Sequence, residues 1–254
     1  QKVGGPDAEV LAIEQALQKT TDLSQATIYI SLEPCSHFGK TPPCCDLIIK
    51  HGIKKVIIAS LDPNPKVESV EKLRLAGIEV EIINDPSAIT LNKRFFTQHI
   101  KLRPYFLLKT ASTIDGKIAD RNNHSKWISN EDSRQFVHAQ LRSNTDAILT
   151  SYKTILQDDA SFTIRIEGEP IKETNLIIID KELTLLNTEY NKLPIFYNRT
   201  NTKIYFITDK KNTPVNASSI ELIEGDFNTE GLIFSSITAQ LLEKGFYSIL
   251  AEGG

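Results

Sequence analysis

Methionine is missing from all 254 positions, the first included, so the sequence is expected to be a fragment or to omit residues of the expressed protein. Also missing is any apolar run near the roughly 18 residues that a membrane-spanning helix requires, and the opening from Gln1 carries no signal-peptide pattern. Both absences predict a cytoplasmic protein with no membrane partner. Net charge is scarce. With 29 Lys and Arg against 32 Asp and Glu the balance is −3, which offers no electrostatic footprint for duplex nucleic acid or an anionic membrane. A polynucleotide partner would need a local basic patch, so no nucleic acid is expected. No Gly-x-Gly-x-x-Gly occurs, which counts against an ordinary dinucleotide-binding Rossmann domain, and there is no internal repeat or low-complexity tract. Tryptophan occurs once, at Trp127, and cysteine only at Cys35, Cys44 and Cys45. Three clustered cysteines, an odd number in a chain this long, fit a reduced compartment and metal ligation better than a disulfide scaffold. What the sequence has in quantity is ordinary globular material, 40% hydrophobic and 24% charged residues, enough for full cores. The length favours two domains over one.

All three cysteines fall within Ser31-Leu32-Glu33-Pro34-Cys35-Ser36-His37-Phe38-Gly39-Lys40-Thr41-Pro42-Pro43-Cys44-Cys45. Upstream, Asp7-Ala8-Glu9 supplies a ligand type, a spacer and a carboxylate one turn into a helix. Zinc deaminases take one metal ligand from an H-x-E segment and two thiolates further on, while the Glu shuttles protons without ligating. Here Asp7 stands in the His position and the thiolates are spaced C-x8-C instead of C-x2-C. Asp7 also sits where a helix N-cap belongs, a common role for Asp, and sequence alone favours cap over ligand. A Cys2Asp set is chemically possible, but a third anion predicts weak zinc binding. Pro42-Pro43 marks a helix start that would put Cys44 at the positive helix end, favouring its thiolate. Cys45 points elsewhere and reads as a small buried hydrophobe. His37 is either an exposed loop residue or a hydrogen-bonding partner for substrate.

Along the chain, Ala8 to Lys19 has helical periodicity, and Thr27 to Leu32 is a β-branched run delivering Glu33-Pro34-Cys35 to a strand end. Asp46 to His51 is a short helix, Lys54 to Leu61 a buried strand, Glu68 to Ala76 a helix, Ile78 to Ile83 a strand, and Pro86 to Ile100 one more helix. The alternation predicts an α/β fold with a largely parallel sheet. Lys101-Leu102-Arg103-Pro104 breaks the pattern and marks the domain boundary. Beyond it, Tyr105 to Ala111 reads as a buried strand whose Lys109 must emerge at the strand end or find an anion. A turn at Ser112 to Gly116 leads to a second short strand near Ile118. Asn130 to Arg142 is a helix with Phe136, Val137 and Leu141 facing the core. Strands follow at Ala147 to Thr150, Leu176 to Asp180, Lys203 to Thr208, Ser219 to Ile223 and Phe246 to Ala251.

Gly4-Gly5-Pro6-Asp7-Ala8-Glu9-Val10, the Leu32 to Cys44 stretch and Asp62-Pro63-Asn64-Pro65 resemble the deaminase domain of the bifunctional riboflavin-biosynthesis deaminase/reductases. Leu108-Lys109 with Asp115-Gly116, Ser125-Lys126-Trp127-Ile128, Asp146-Ala147-Ile148-Leu149, Thr154 with Asp158-Asp159, Thr163 with Arg165, and Glu252-Gly253-Gly254 resemble its reductase domain, in family order. The resemblance implies a cytidine-deaminase-like three-layer sandwich over 1–102 and a dihydrofolate-reductase-like α/β domain over 103–254, both ends incomplete. It implies hydrolytic deamination of a diaminopyrimidinone ribosylamine 5′-phosphate, then NADPH reduction of the ribosyl group to ribityl. By the same resemblance Glu9 is catalytic, Cys35 and Cys44 with Asp7 hold Zn2+, substrate contacts fall on Ser125, Arg142, Phe162, Arg165 and Glu252, and NADPH contacts fall on Ala111, Trp127, Thr154 and Asp158. Arg142 and Arg165 would offer guanidinium forks to the phosphate, although without the resemblance both read as solvated surface charge. A homodimer is expected. Departures are Asp7 for His, and Lys66-Val67-Glu68-Ser69 where the family has a glycine-bearing loop. Two other readings stay open: a nucleic-acid-editing deaminase, and a reductase whose deaminase-like half serves as a scaffold.

Overall fold

The computed structural model describes residues 6–38, 42–122, 124–125, 128–187, 192–197, 199–210, 213 and 217–253. The chain forms two compact units, Gln1–Ile100 and Lys101–Gly254. In the first, α1 (Ala8–Leu17), β1 (Thr27–Ile30), α2 (Cys44–Lys50), β2 (Lys55–Ile58), α3 (Ser69–Leu75), β3 (Glu79–Ile82), α4 (Pro86–Leu91) and α5 (Lys93–Lys101) follow in order. The three strands pair in parallel, in the order β1-β2-β3. Parallel neighbours need crossovers, and the helices supply them. Strand alternation puts Ile28, Ile30, Val56, Ile58 and Val80 into one core with Ile13 of α1, Ile48 of α2 and Leu73 of α3. Cys45 joins that core at 0% exposure, as a small hydrophobe should. The single helix expected over Pro86 to Ile100 is instead two, because the chain leaves α4 at its C-cap Asn92, whose Nδ2 turns back to the Ala88 carbonyl (3.0 Å).

The second unit begins with β4 (Tyr105–Lys109) and a helical stretch of three parts: α6 (Glu131–Phe136), a π-helical turn Val137–Leu141 and a 3-10 turn Arg142–Asn144. Then come β5 (Ala147–Ser151), α7 (Tyr152–Asp158), β6 (Asn175–Ile179), α8 (Pro194–Tyr197), β7 (Ile204–Thr208), β8 (Ile220–Glu224), a small antiparallel ribbon of β9 (Phe227–Asn228) and β10 (Gly231–Leu232), α9 (Thr238–Glu243) and β11 (Ser248–Glu252). The six-stranded sheet runs β4-β11-β5-β6-β7-β8, parallel throughout. Apolar residues cover both faces. Ile148, Leu176, Ile178, Ile204 and Phe206 pack with Ile155 of α7 on one side. Leu149, Ile177, Tyr205, Ile207 and Ile249 pack with Leu241 of α9 on the other. Two-sided burial explains why these strands read as continuous Ile and Leu runs rather than alternating ones.

Three expectations need correction here. Among the described residues the strand at Tyr105 is the sheet's edge, paired with β11 on one side and with Leu108 73% exposed. Ile118 lies in irregular chain; the turn before it closes through Gly116 N–H to the Thr113 carbonyl (2.9 Å) and Thr113 N–H to the Lys117 carbonyl (2.8 Å), without a strand. Phe136 is 58% exposed; it ends α6 where the helical repeat changes to a π turn, and Val137 and Leu141 are partly buried without it.

Candidate active sites

In the first unit, α1 and the β1 to α2 connection converge. Asp7 is the N-cap of α1, and its carbonyl accepts the Leu11 N–H (3.1 Å). Its side chain makes no capping bond. Oδ2 instead accepts from the Cys44 thiol at 3.3 Å, so the reading of Asp7 as chiefly a side-chain cap is overturned: the carboxylate is turned toward the thiols. Cys44 also differs from expectation. It opens α2 rather than facing it, and its own N–H donates to Cys35 Sγ at 3.1 Å. Cys35 is thus the sulfur that the helix's first amide meets. The hydrogen bond from the Cys44 thiol draws Cys35 down to about 6, and the same bond, with burial, pushes Cys44 up. Ligand atoms of Asp7, Cys35 and Cys44 all lie within 4.8 Å of one another. Two thiolates and a carboxylate at that spacing suit a tetrahedral ion with its fourth position open. Glu9, one turn into α1, places Oε2 3.9 Å from Cys44 Sγ. Burial raises its pKa, against a lowering backbone hydrogen bond and with the Asp7 charge adding to the rise. His37 is exposed.

Sequence reasoning missed Glu33, which is 7% exposed. Its carboxylate accepts from Ser69 Oγ (2.9 Å), Val70 N–H (3.2 Å) and Asp62 N–H (3.2 Å). It thereby ties the segment leading to Cys35 to the Asp62-Pro63-Asn64-Pro65 turn and the start of α3. The loop after that turn, glycine-free in this chain, is held differently: Ser36 Oγ accepts the Glu68 N–H at 2.9 Å. An acid placed just before a Pro-Cys pair at a strand end was the available signal.

The second unit carries a cleft of about 270 Å³ at the carboxyl ends of β4 and β11 and beside α7, where parallel sheets bind ligands. Ser125, Arg142, Phe162, Glu252, Ala111, Thr154 and Asp158 line it. Arg165 is exposed and absent from the lining, and Trp127 lies outside the described residues. Lys109 emerges into the cleft at the end of β4, in register with Glu252. Arg142 is not the free fork its phosphate role called for. Nε and Nη2 donate to Glu252 Oε1 and Oε2 (2.7 and 2.9 Å), and Nη1 to the Thr163 carbonyl (2.8 Å). This buried bidentate pair fixes both side chains, and the guanidinium stands 5.8 Å from the Phe162 ring centroid. His138, on the π turn, accepts the Arg165 N–H at Nδ1 (3.1 Å). Burial, with Arg142 and Arg165 nearby, depresses it to about 4; it is neutral at physiological pH, with its proton on Nε2. Thr154 shares a hydroxyl contact of 3.1 Å with Ser151, the α7 N-cap. Cations and hydroxyls beside two carboxylates suit a polar, phosphate-bearing ligand such as a nicotinamide nucleotide.

Comparison with known proteins finds matches for both units. The chain matches the cytidine and deoxycytidylate deaminase zinc-binding region over residues 4–60 and the RibD C-terminal domain over residues 104–254. It is 38% identical to the riboflavin biosynthesis protein RibD of Aquifex aeolicus, across 100% of this chain and 69% of that one. The crystal structure of a diaminohydroxyphosphoribosylaminopyrimidine deaminase/5-amino-6-(5-phosphoribosylamino)uracil reductase from Thermotoga maritima superposes with a TM-score of 0.81 at 38% identity, covering 99% of this chain and 68% of that one. A crystal form of Acinetobacter baumannii RibD gives a TM-score of 0.77 at 29% identity, covering 100% of this chain and 68% of that one.

Proposed function

The chain belongs to the family of bifunctional riboflavin-biosynthesis deaminase/reductases, and from that premise we propose how its own residues divide the two reactions. It is a zinc deaminase joined to an NADPH-dependent reductase, acting on a pyrimidine ribosylamine phosphate. Neither nucleic-acid editing nor a chemistry-free first half is favoured by those matches.

Asp7, Cys35 and Cys44 would hold zinc, which when bound supplies Lewis acidity that activates water near neutral pH. Glu9, half buried and raised in pKa, is the group that takes a proton and returns it to the departing ring amine. In the reductase cleft, Ser125, Phe162 and Glu252 orient the substrate, with Arg142 holding Glu252 in place. Arg165 meets the phosphate from outside the cleft wall. Ala111, Thr154 and Asp158, with Trp127, hold NADPH, which supplies the hydride. The domain division we adopt is 1–102 and 103–254. The finer assembly is a cytoplasmic homodimer without a polynucleotide partner; the −3 charge and three free cysteines support the compartment and the missing polyanion, and light scattering tests the dimer.

The observation that carries this reading is the meeting of Asp7, Cys35 and Cys44 within 4.8 Å beside Glu9. Asp7→Ala should lower bound zinc and abolish deamination while NADPH oxidation by the reductase persists; Asp7→His should hold zinc at least as tightly as Asp7. Elemental analysis with separate assays of the two reactions checks both. Full zinc occupancy in Asp7→Ala would remove Asp7 from the ligand set.

A further inference from the structure

Phe162 has φ +50 and is 5% exposed. A left-handed conformation is strained for a non-glycine residue and persists only where surroundings over-determine it. The surroundings here are side chains that capture the backbone. Arg199, 6% exposed, donates from Nη2 to the carbonyls of Ser161 (3.0 Å) and Phe162 (3.1 Å). Its Nη1 donates to the Thr174 carbonyl, at the foot of β6, and to Thr202 Oγ1 (3.3 Å). Arg142 takes the next carbonyl, Thr163 (2.8 Å). Two arginines thus hold three consecutive peptide units.

Arg199 is itself anchored. The Glu173 carboxylate accepts the N–H groups of Thr200 (3.0 Å) and Asn201 (2.9 Å) and the Thr202 hydroxyl (3.1 Å), so the turn that carries Arg199 cannot drift from β6. Burial lowers the guanidinium only to about 10, leaving it charged at neutral pH and its hydrogen bonds charge-assisted. Carbonyls that the sheet cannot reach are satisfied this way, and Phe162, which packs in the core with Ile155 and also lines the cleft, is held at that wall.

We propose that Arg199 is a positioning residue for the reductase reaction, fixing the Phe162 ring and the Arg142–Glu252 pair against the pyrimidine substrate through the 161–163 backbone. This rests on the assignment of Phe162 to the substrate side of the cleft. Lysine keeps the charge but has no fork to span the carbonyls. In the full chain, Arg199→Lys should therefore raise KM for the deaminated pyrimidine ribosylamine phosphate about tenfold, leaving kcat within about threefold and the NADPH Kd unchanged. Phe162→Leu should do the same, and the double variant should be no worse than the poorer single one, since both act through one contact. Should Arg199→Lys fail to fold, Glu173→Gln loosens the anchor from the exposed side and should raise the same KM about threefold, again non-additively with Phe162→Leu. A lowered Tm with unchanged KM in the Arg199 or Glu173 variant, an additive double variant, or an equal loss of NADPH affinity would overturn the proposal. An unchanged KM in Phe162→Leu alone would instead refute the assignment of Phe162.

Discussion

Glu33 shows how a single side chain sets the geometry of a ligand it never touches. Its carboxylate meets three donors from Asp62, Ser69 and Val70, two positions before Cys35. Removing it would strand those donors in the interior, at a cost of roughly 2–4 kcal/mol. Glu33→Ala should lower the urea midpoint accordingly and speed zinc loss to a competing chelator, whereas Glu33→Gln should recover part of the stability; equal zinc release by all three proteins would show that Cys35 is placed without it. The Leu32-Glu33-Pro34-Cys35 stretch was legible as a unit, but the function of its Glu was not, because its partners come from a turn and a helix that only folding brings near. Asp7 misled for the same reason. A helix-start pattern is local, while the Cys44 thiol that its carboxylate faces lies on another helix.

The helical stretch Glu131–Asn144 is the element where local reading went furthest astray, and its departure builds the cleft. Its start was legible: Asn130 Oδ1 accepts the Ser133 N–H (2.9 Å), as an N-cap should. The π turn that follows has no sequence signature at this level, and it sets His138 and Arg142 toward the 161–165 segment. Because His138 is partly buried and sits near Arg142 and Arg165, its folded pKa is about 4, below the ordinary value near 6.5. The unfolded chain then binds the proton first as pH falls. Stability is unaffected above about pH 6.5 and declines from there toward pH 4, by roughly 1–2 kcal/mol once solvent screening of a half-exposed ring is allowed for. Chemical denaturation at pH 7.5 and pH 5 should show this decline in the unmodified protein and a flatter response in His138→Gln; parallel curves would place the acid sensitivity elsewhere. Strands fared better than this helix, since Ile and Leu runs such as Leu176 to Ile179 can only be buried on both faces.

The two units keep separate hydrophobic cores, one built around Val56 and Ile58, the other around the two faces of the six-stranded sheet. Metal chemistry and nucleotide chemistry therefore should fail independently. Dialysis against a zinc chelator is expected to abolish deamination and shift the melting of the first unit, with NADPH oxidation within about twofold of its starting rate; parallel loss of both activities would mean that the metal supports the second unit too. The α/β class was readable from alternating segments. The strand order was not, because β11 enters between β4 and β5, far from both in sequence, and all the central strands read alike. That order has a consequence for synthesis. Ser248–Glu252 lies between Tyr105–Lys109 and Ala147–Ser151, so β4 emerges from the ribosome early and waits until after β5 to β10 have been made for β11, its one partner among the described residues. A nascent chain stalled before Ser248 would hold an unpaired strand and the open side of β5, the kind of slow, long-range closure that exposes sheet edges to aggregation, and translation speed through Ser248–Glu252 becomes a determinant of yield.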